Sequence, residues 1–261
     1  MIQSTATPIV DRDNPWPGLA SFTEDLQAFF FGREQESEEL LGLVRRETLT
    51  VLFGQSGLGK TSLLQAGLYP RLRKADHVPI YVRLDHSPET PPLAAQVRGA
   101  IAAAIAKGQL DGPEPKETLW EYFHRKDAQF WTPLNRPATP VLVLDQFEEI
   151  FTLGRASDAA RTRADAFLEE FADLADNRIP AHLREADEAD PVDRFVFGPP
   201  ACRIIVSLRE DFLPDLEELR PLIRGIGRNR MRITRMGGLA ALEVVEKPGR
   251  GCWRRGWPGG S

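Results

Sequence analysis

The chain has 261 residues, 42% of them hydrophobic and 27% charged, with a formal net charge of −5. That length and composition fit one large globular domain with appendages, and the acidic total argues against a dedicated nucleic-acid-binding domain, which is usually strongly basic. Nothing approaches the run of about 18 apolar residues that spans a membrane, and the start MIQSTATPIVDRDNPWPGL lacks the basic and apolar regions of a signal peptide.

Cys202 and Cys252 form no ligand pattern and read as free thiols of a reducing compartment, so a cytoplasmic location is expected. His77, His86, His124 and His182 have no metal-ligand spacing and read as surface or packing residues.

Residues 1–13 are expected to be disordered ahead of a domain over 14–248. FFFGRE, Phe29 to Glu34, is open to two readings: a lip for a nucleotide base, with aromatics packing it and Arg33 fixing the backbone, or plain anchoring of the first helix. That helix is predicted over Glu34–Arg46, with Leu40, Leu41 and Leu43 on its buried stripe.

A strand at Leu49–Phe53 runs into GQSGLGKT, which leads into a helix over Thr61–Leu72. Strand, glycine loop and helix are the context that makes GxxxxGK[ST] a phosphate-binding loop. The loop backbone from Gly54, Gln55, Ser56, Gly57, Leu58 and Gly59 would turn its N–H groups inward. The helix start at Lys60, Thr61 and Ser62 adds a positive dipole end. Lys60 would reach the β- and γ-phosphates and the Thr61 hydroxyl would ligate Mg²⁺.

Strands follow at Pro79–Leu84, Pro140–Asp145, Arg203–Leu208 and Met231–Thr234. They alternate with helices at Leu93–Ala106, Lys116–Ala128, Asp158–Asn177, Asp211–Leu219 and Leu239–Glu246. Short apolar strands between helices predict a parallel sheet covered on both faces, a three-layer α/β/α fold. Asp111–Glu117 and Trp131–Thr139 read as proline-bearing connectors, and the acidic Arg184–Asp193 as a solvated loop.

Hydrolysis requires a second, acidic element on a neighbouring strand. PVLVLDQFEEIF places Asp145 at a strand's end, suited to hold Mg²⁺, with Glu148 and Glu149 just beyond; one of them would polarise the attacking water, or both simply favour a helix N-terminus. RIIVSL ends in Arg209, a cation at a strand tip facing the same crevice. It would meet γ-phosphate charge or pair with Glu210 or Asp211. From Pro221 onward nine Lys or Arg stand against Glu243 and Glu246. The tail 249–261, GRGCWRRGWPGGS with its last glycine pair, has no period and reads as an irregular, truncated or frame-shifted end, expected to be disordered.

Together, NPWPGL…FFFGRE, GQSGLGKTSLLQAGLYPRL, VLVLDQFEEIFTL and IIVSLREDFL resemble the novel STAND NTPases, signal-transduction P-loop ATPases related to NACHT and AAA+ proteins. The resemblance spans Asn14 to about Pro248. It implies a five-stranded parallel sheet in the order 5-1-4-3-2, and an adenine site near Phe31 and the Gly32–Arg33–Glu34 motif. It further implies phosphate binding at Gly54–Ser62, magnesium at Thr61 and Asp145, an acidic pair at Glu148 and Glu149, and a sensor arginine at Arg209. The function implied is an ATP-binding, slowly hydrolysing switch of a bacterial signalling or defence regulator. ADP would favour a closed state and ATP an open, self-associating one. Protein partners are expected, with no membrane and no nucleic acid. The family's helical lid is expected to be truncated after ITRMGGLAALEVVEKPGR. Two other readings stay open on the residues: a DNA-associated AAA+ initiator or loader, and a nucleotide-binding scaffold without hydrolysis.

Overall fold

The computed structural model describes residues 10–249 apart from 12–13, 106–111, 115 and 186–193. Its strands are β1 (Leu49–Gly54), β2 (His77–Val82), β3 (Phe130–Trp131), β4 (Pro137–Leu144), β5 (Arg203–Arg209) and β6 (Arg230–Arg232). Five of them run parallel in the order β2-β4-β5-β1-β6. Numbered among themselves in chain order and read from the other edge, this is 5-1-4-3-2. The sixth, β3, corrects the expectation of five: it pairs antiparallel with the first residues of β4, Phe130 opposite Ala138.

Helices α1 (Glu34–Arg46) and α2 cover one face of the sheet. Helix α2 begins at Lys60–Ser62, widens to a π-helical stretch over Leu63–Leu68 and returns to α over Tyr69–Lys74. The wide turn, with Tyr69 N–H reaching back to Leu64, precedes Pro70, whose ring would otherwise press on the carbonyl four residues earlier. The other face carries α3 (Leu93–Ala104), α4 (Leu119–His124), α5 (Glu149–Thr152), α6 (Asp158–Ala175), α7 (Ala181–Glu185) and α8 (Leu213–Glu218) around the sheet edge and core. A last helix, α9 (Gly238–Gly249), follows β6.

Alternation along the strands feeds the two cores. Val141, Val143, Leu52 and Ile205 face α1 and α2; Leu142, Leu144, Val51, Ile204 and Val206 face the opposite layer with Phe147, Phe167 and Phe171. A strand buried on both sides needs no polar face, which explains the unbroken apolar runs.

Several boundaries differ from expectation. The predicted connector Trp131–Thr139 instead holds the end of β3 and the start of β4. β2 begins at His77 because Asp76 turns the chain with φ +56°. α4 is short because a capping box between Thr118 and Glu121 starts it and Arg125 is already extended. Of the expected acidic loop Arg184–Asp193, Arg184 and Glu185 instead end α7; its remainder, the expected disordered start apart from residues 10 and 11, and the tail beyond 249 lie outside the described residues.

Candidate nucleotide site at the strand tips

The three central neighbours β1, β5 and β4 end side by side. Their carboxyl ends deliver the glycine loop, Arg209 and Asp145 to one crevice, where ligands of open α/β sheets sit. In the loop, Gly57 and Gly59 have φ of +78° and +83°. A Cβ at Gly57 would meet nothing within 4 Å, so the backbone conformation, not crowding, is what calls for glycine there.

Lys60 Nζ donates to the carbonyls of Gly54 at 2.9 Å and Gln55 at 3.1 Å. Burial lowers its pKa, while the charges of Glu148 and Asp145 pull the other way. Thr61 Oγ1 donates to Asp145 Oδ2 at 2.7 Å, and Tyr81 donates its hydroxyl to the same oxygen at 3.3 Å. Asp145 itself is only 3% exposed. Burial, then the Asp145 charge, pushes the Tyr81 phenol up to about 12. A hydroxyl and a carboxylate meeting at this spacing form the oxygen donor set that Mg²⁺ takes when substrate phosphates complete its shell. No group of three or more His, Cys, Asp or Glu suited to a metal exists among the described residues.

Beyond Asp145 the chain turns through Gln146 at φ +55°, and Phe147 N–H bonds to Ser207 O at 2.8 Å. This separates the acidic pair. Glu148 Oε2 accepts the Arg209 backbone N–H at 3.3 Å; burial raises its pKa against the opposing charge of Lys60. Glu149 is held instead by Arg83, at 2.6 Å from Nη2 and 3.4 Å from Nε. The Arg209 guanidinium pairs with Asp211 and lies 5.6 Å from the Phe212 ring centroid, so one of its two sequence readings, the acidic neighbour, describes the contact present. Glu210 pairs with Arg232.

A cavity of about 780 Å³ joins Ser56, Gly57, Gly59, Lys60, Thr61 and Ser62 to Asp145, Glu148, Glu149 and Arg209. Another wall is the segment Gly18–Phe22, tied down by the Phe22 N–H bond to Ser62 Oγ at 3.1 Å. Reasoning from sequence passed over this wall. Its signal was the Pro-Trp-Pro-Gly run, whose Gly18 takes φ +67°.

The FFFGRE residues lie elsewhere. Gly32 and Glu34 line a separate cavity of about 700 Å³ against Gly237–Ala240, Glu243 and Lys247, and Lys247 Nζ sits 5.6 Å from the Phe31 ring centroid. Arg33, 3% exposed, pairs with Glu36 and donates to Thr234 O at 2.7 Å and Leu58 O at 3.4 Å. Its guanidinium therefore fastens the loop residues Leu58 and Thr234, and is itself closed to a ligand. Gln55 and Ser56 are exposed on the loop, and Leu58 is half-buried.

Strand order, glycine loop and paired acidic strand tip define a P-loop NTPase. The chain belongs to the novel STAND NTPase family: the family model Novel STAND NTPase 1 matches residues 15–252. No curated protein matches the chain. Among solved structures, a Walker-type ATPase of Pyrococcus abyssi aligns with TM-score 0.50 and 14% identity, covering 88% of this chain and 60% of that one. Cdc6p of Pyrobaculum aerophilum aligns with TM-score 0.45 and 18% identity over 84% of this chain and 49% of its own. The ORC2 protein of Aeropyrum pernix, in its ADP form, gives 0.49 and 13% over 85% and 53%. The chain thus spans three fifths or less of the length of these proteins.

Proposed function

We propose that this domain is an ATP-binding, slowly ATP-hydrolysing molecular switch within a cytoplasmic bacterial signalling or defence regulator. The observation that carries the reading is the Thr61–Asp145 contact, which joins the start of α2, just after the glycine loop, to the tip of β4. A carboxylate with that burial and that partner makes little sense as a surface group and good sense as half of a divalent-cation site.

In this reading the loop amides and the N-terminus of α2 bind the polyphosphate. Lys60 exchanges two carbonyl acceptors for phosphate oxygens. Thr61 and Asp145 would hold Mg²⁺, which would supply charge neutralisation on the β- and γ-phosphates. Glu148 orients the attacking water and accepts its proton, its raised pKa making it a better base than an ordinary carboxylate. Arg209 turns from Asp211 to the γ-phosphate. Gly18–Phe22 flank the nucleotide across from the loop.

Switching requires unequal affinity for two states, about 5.5 kcal/mol for a full reversal of population. Lys60, Arg209 and Glu148 all line the cleft beside the glycine loop, which supports a γ-phosphate-dependent change and self-association in the ATP state. The test is binding of a fluorescent ATP analogue with Mg²⁺: Lys60→Ala should abolish it at concentrations that saturate the wild type. Unaltered affinity would overturn the assignment.

A further inference from the structure

The opposite pole of the sheet, at the amino ends of the strands, holds another cavity, of about 360 Å³. It shares no lining residue with the nucleotide cleft. We propose that it binds the phosphate group of a compact phosphorylated small molecule through Arg178, Arg224 and Arg228.

All three arginines line it. Arg224 and Arg228 are exposed and make no salt bridge among the described residues. Arg178 reaches Asp173 at 3.3 Å, yet its Nε–H is buried without an acceptor. A planar guanidinium presents paired N–H groups that match phosphate oxygens, so two arginines without ion pairs, gathered with Arg178 on one concavity, favour that anion.

The site is also built, not a chance meeting of long side chains. Asp176 spends its carboxylate on backbone amides, accepting from Arg224 N at 2.6 Å and Gly225 N at 2.9 Å, which fixes the segment bearing Arg224. A Cβ on Gly225 would come within 3.2 Å of Asp176 Oδ1, a tight contact that the carboxylate would have to ease by a small shift. Asn177, at φ +52°, bonds to His124 Nε2 at 2.8 Å and to Gly198 O at 3.0 Å, anchoring the chain just before the wall residues Pro199 and Pro200. The backbone that carries Arg224 is thus set before a ligand arrives, leaving the exposed arginine side chains as what binding must order.

Glu47 at the rim is exposed and makes no ion pair among the described residues. Its charge opposes any anion in the cavity, an opposition that its exposure to solvent screens. Leu49, Ala175 and the two prolines give the ligand's organic body an apolar seat. The volume lies at the low end for small-molecule clefts, roughly 300–1,000 Å³, and a concavity of this size does not follow an extended duplex backbone. β1 runs from Leu49 at this cavity straight to Gly54 at the head of the phosphate loop.

The experiment is isothermal titration of the full chain carrying Lys60→Ala, which removes the loop lysine from competition, with pyrophosphate and with ribose 5-phosphate as probes. Binding with Kd below about 1 mM is expected for at least one, weakened tenfold or more by adding Arg224→Ala and Arg228→Ala. Arg224→Lys with Arg228→Lys should recover part of the loss. Both positions are exposed, and circular dichroism would confirm an intact fold. Three outcomes overturn the proposal: no binding of either probe, binding unchanged in the double variant, or tighter binding of a short DNA duplex than of both probes. Because the readout does not involve ATP, its failure leaves the switch reading untouched.

Discussion

Replacing Glu148 with glutamine separates the two members of the acidic pair. The substitution keeps an oxygen for the Arg209 backbone N–H, now at 3.3 Å, and removes a half-buried charge whose pKa burial already raises. Fold and nucleotide affinity should therefore stay within a few-fold of wild type. What disappears is the proton acceptor, a contribution of typically 10²–10⁴ in rate, or about 2.7–5.5 kcal/mol of barrier. Glu149→Gln instead loosens the ion pair with Arg83, half of which is exposed, and should change turnover less than tenfold. The assay is single-turnover release of labelled phosphate with enzyme in excess, alongside direct binding of the nucleotide. If Glu148→Gln turns over at the wild-type rate while Glu149→Gln loses a hundredfold, the base is Glu149 and the reasoning from contacts is refuted.

Acidity gives a second handle, since kcat/KM reports groups of the free enzyme. The base must be ionised, so activity should fall as pH drops through a Glu148 pKa above the ordinary 4.5. Lys60 must be charged, so activity should also fall as pH rises through a lysine pKa below 10.5; an acid limb at or under the ordinary glutamate value would contradict the burial argument. Gly32→Ala should destabilise the chain by about 1–3 kcal/mol in thermal unfolding, because at φ +78° its Cβ would sit 2.6 Å from Ala240 O and 2.9 Å from Val244. Gly18→Ala, at φ +67° with open space around it, should cost less; equal losses would show that α9 does not press on Gly32.

The parallel strands were legible because burial on both faces leaves uninterrupted apolar runs such as Val141–Leu144, and the loop was legible because its glycines and Lys60 answer to one ligand. β3 escaped notice because two residues between connectors carry no period, and its pairing depends on β4 starting at Pro137, before the apolar run. At the site, residue types pointed to the crevice and, for Arg209, to the adjacent acids that include its partner Asp211; that Arg83 takes Glu149 is decided by tertiary proximity, which spacing does not encode. Phe31–Glu34 were expected beside a base with Arg33 fixing the backbone there; Arg33 does bond to backbone carbonyls, while the wall Gly18–Phe22 was not singled out because it carries no phosphate-binding or acidic motif of its own.

The buried guanidinium of Arg33 grips the glycine loop at Leu58 and the exit from β6 at Thr234 at the same moment. A shift of the loop by an ångström must then tug on the stretch that leads into the final helix, whatever lies further along the polypeptide.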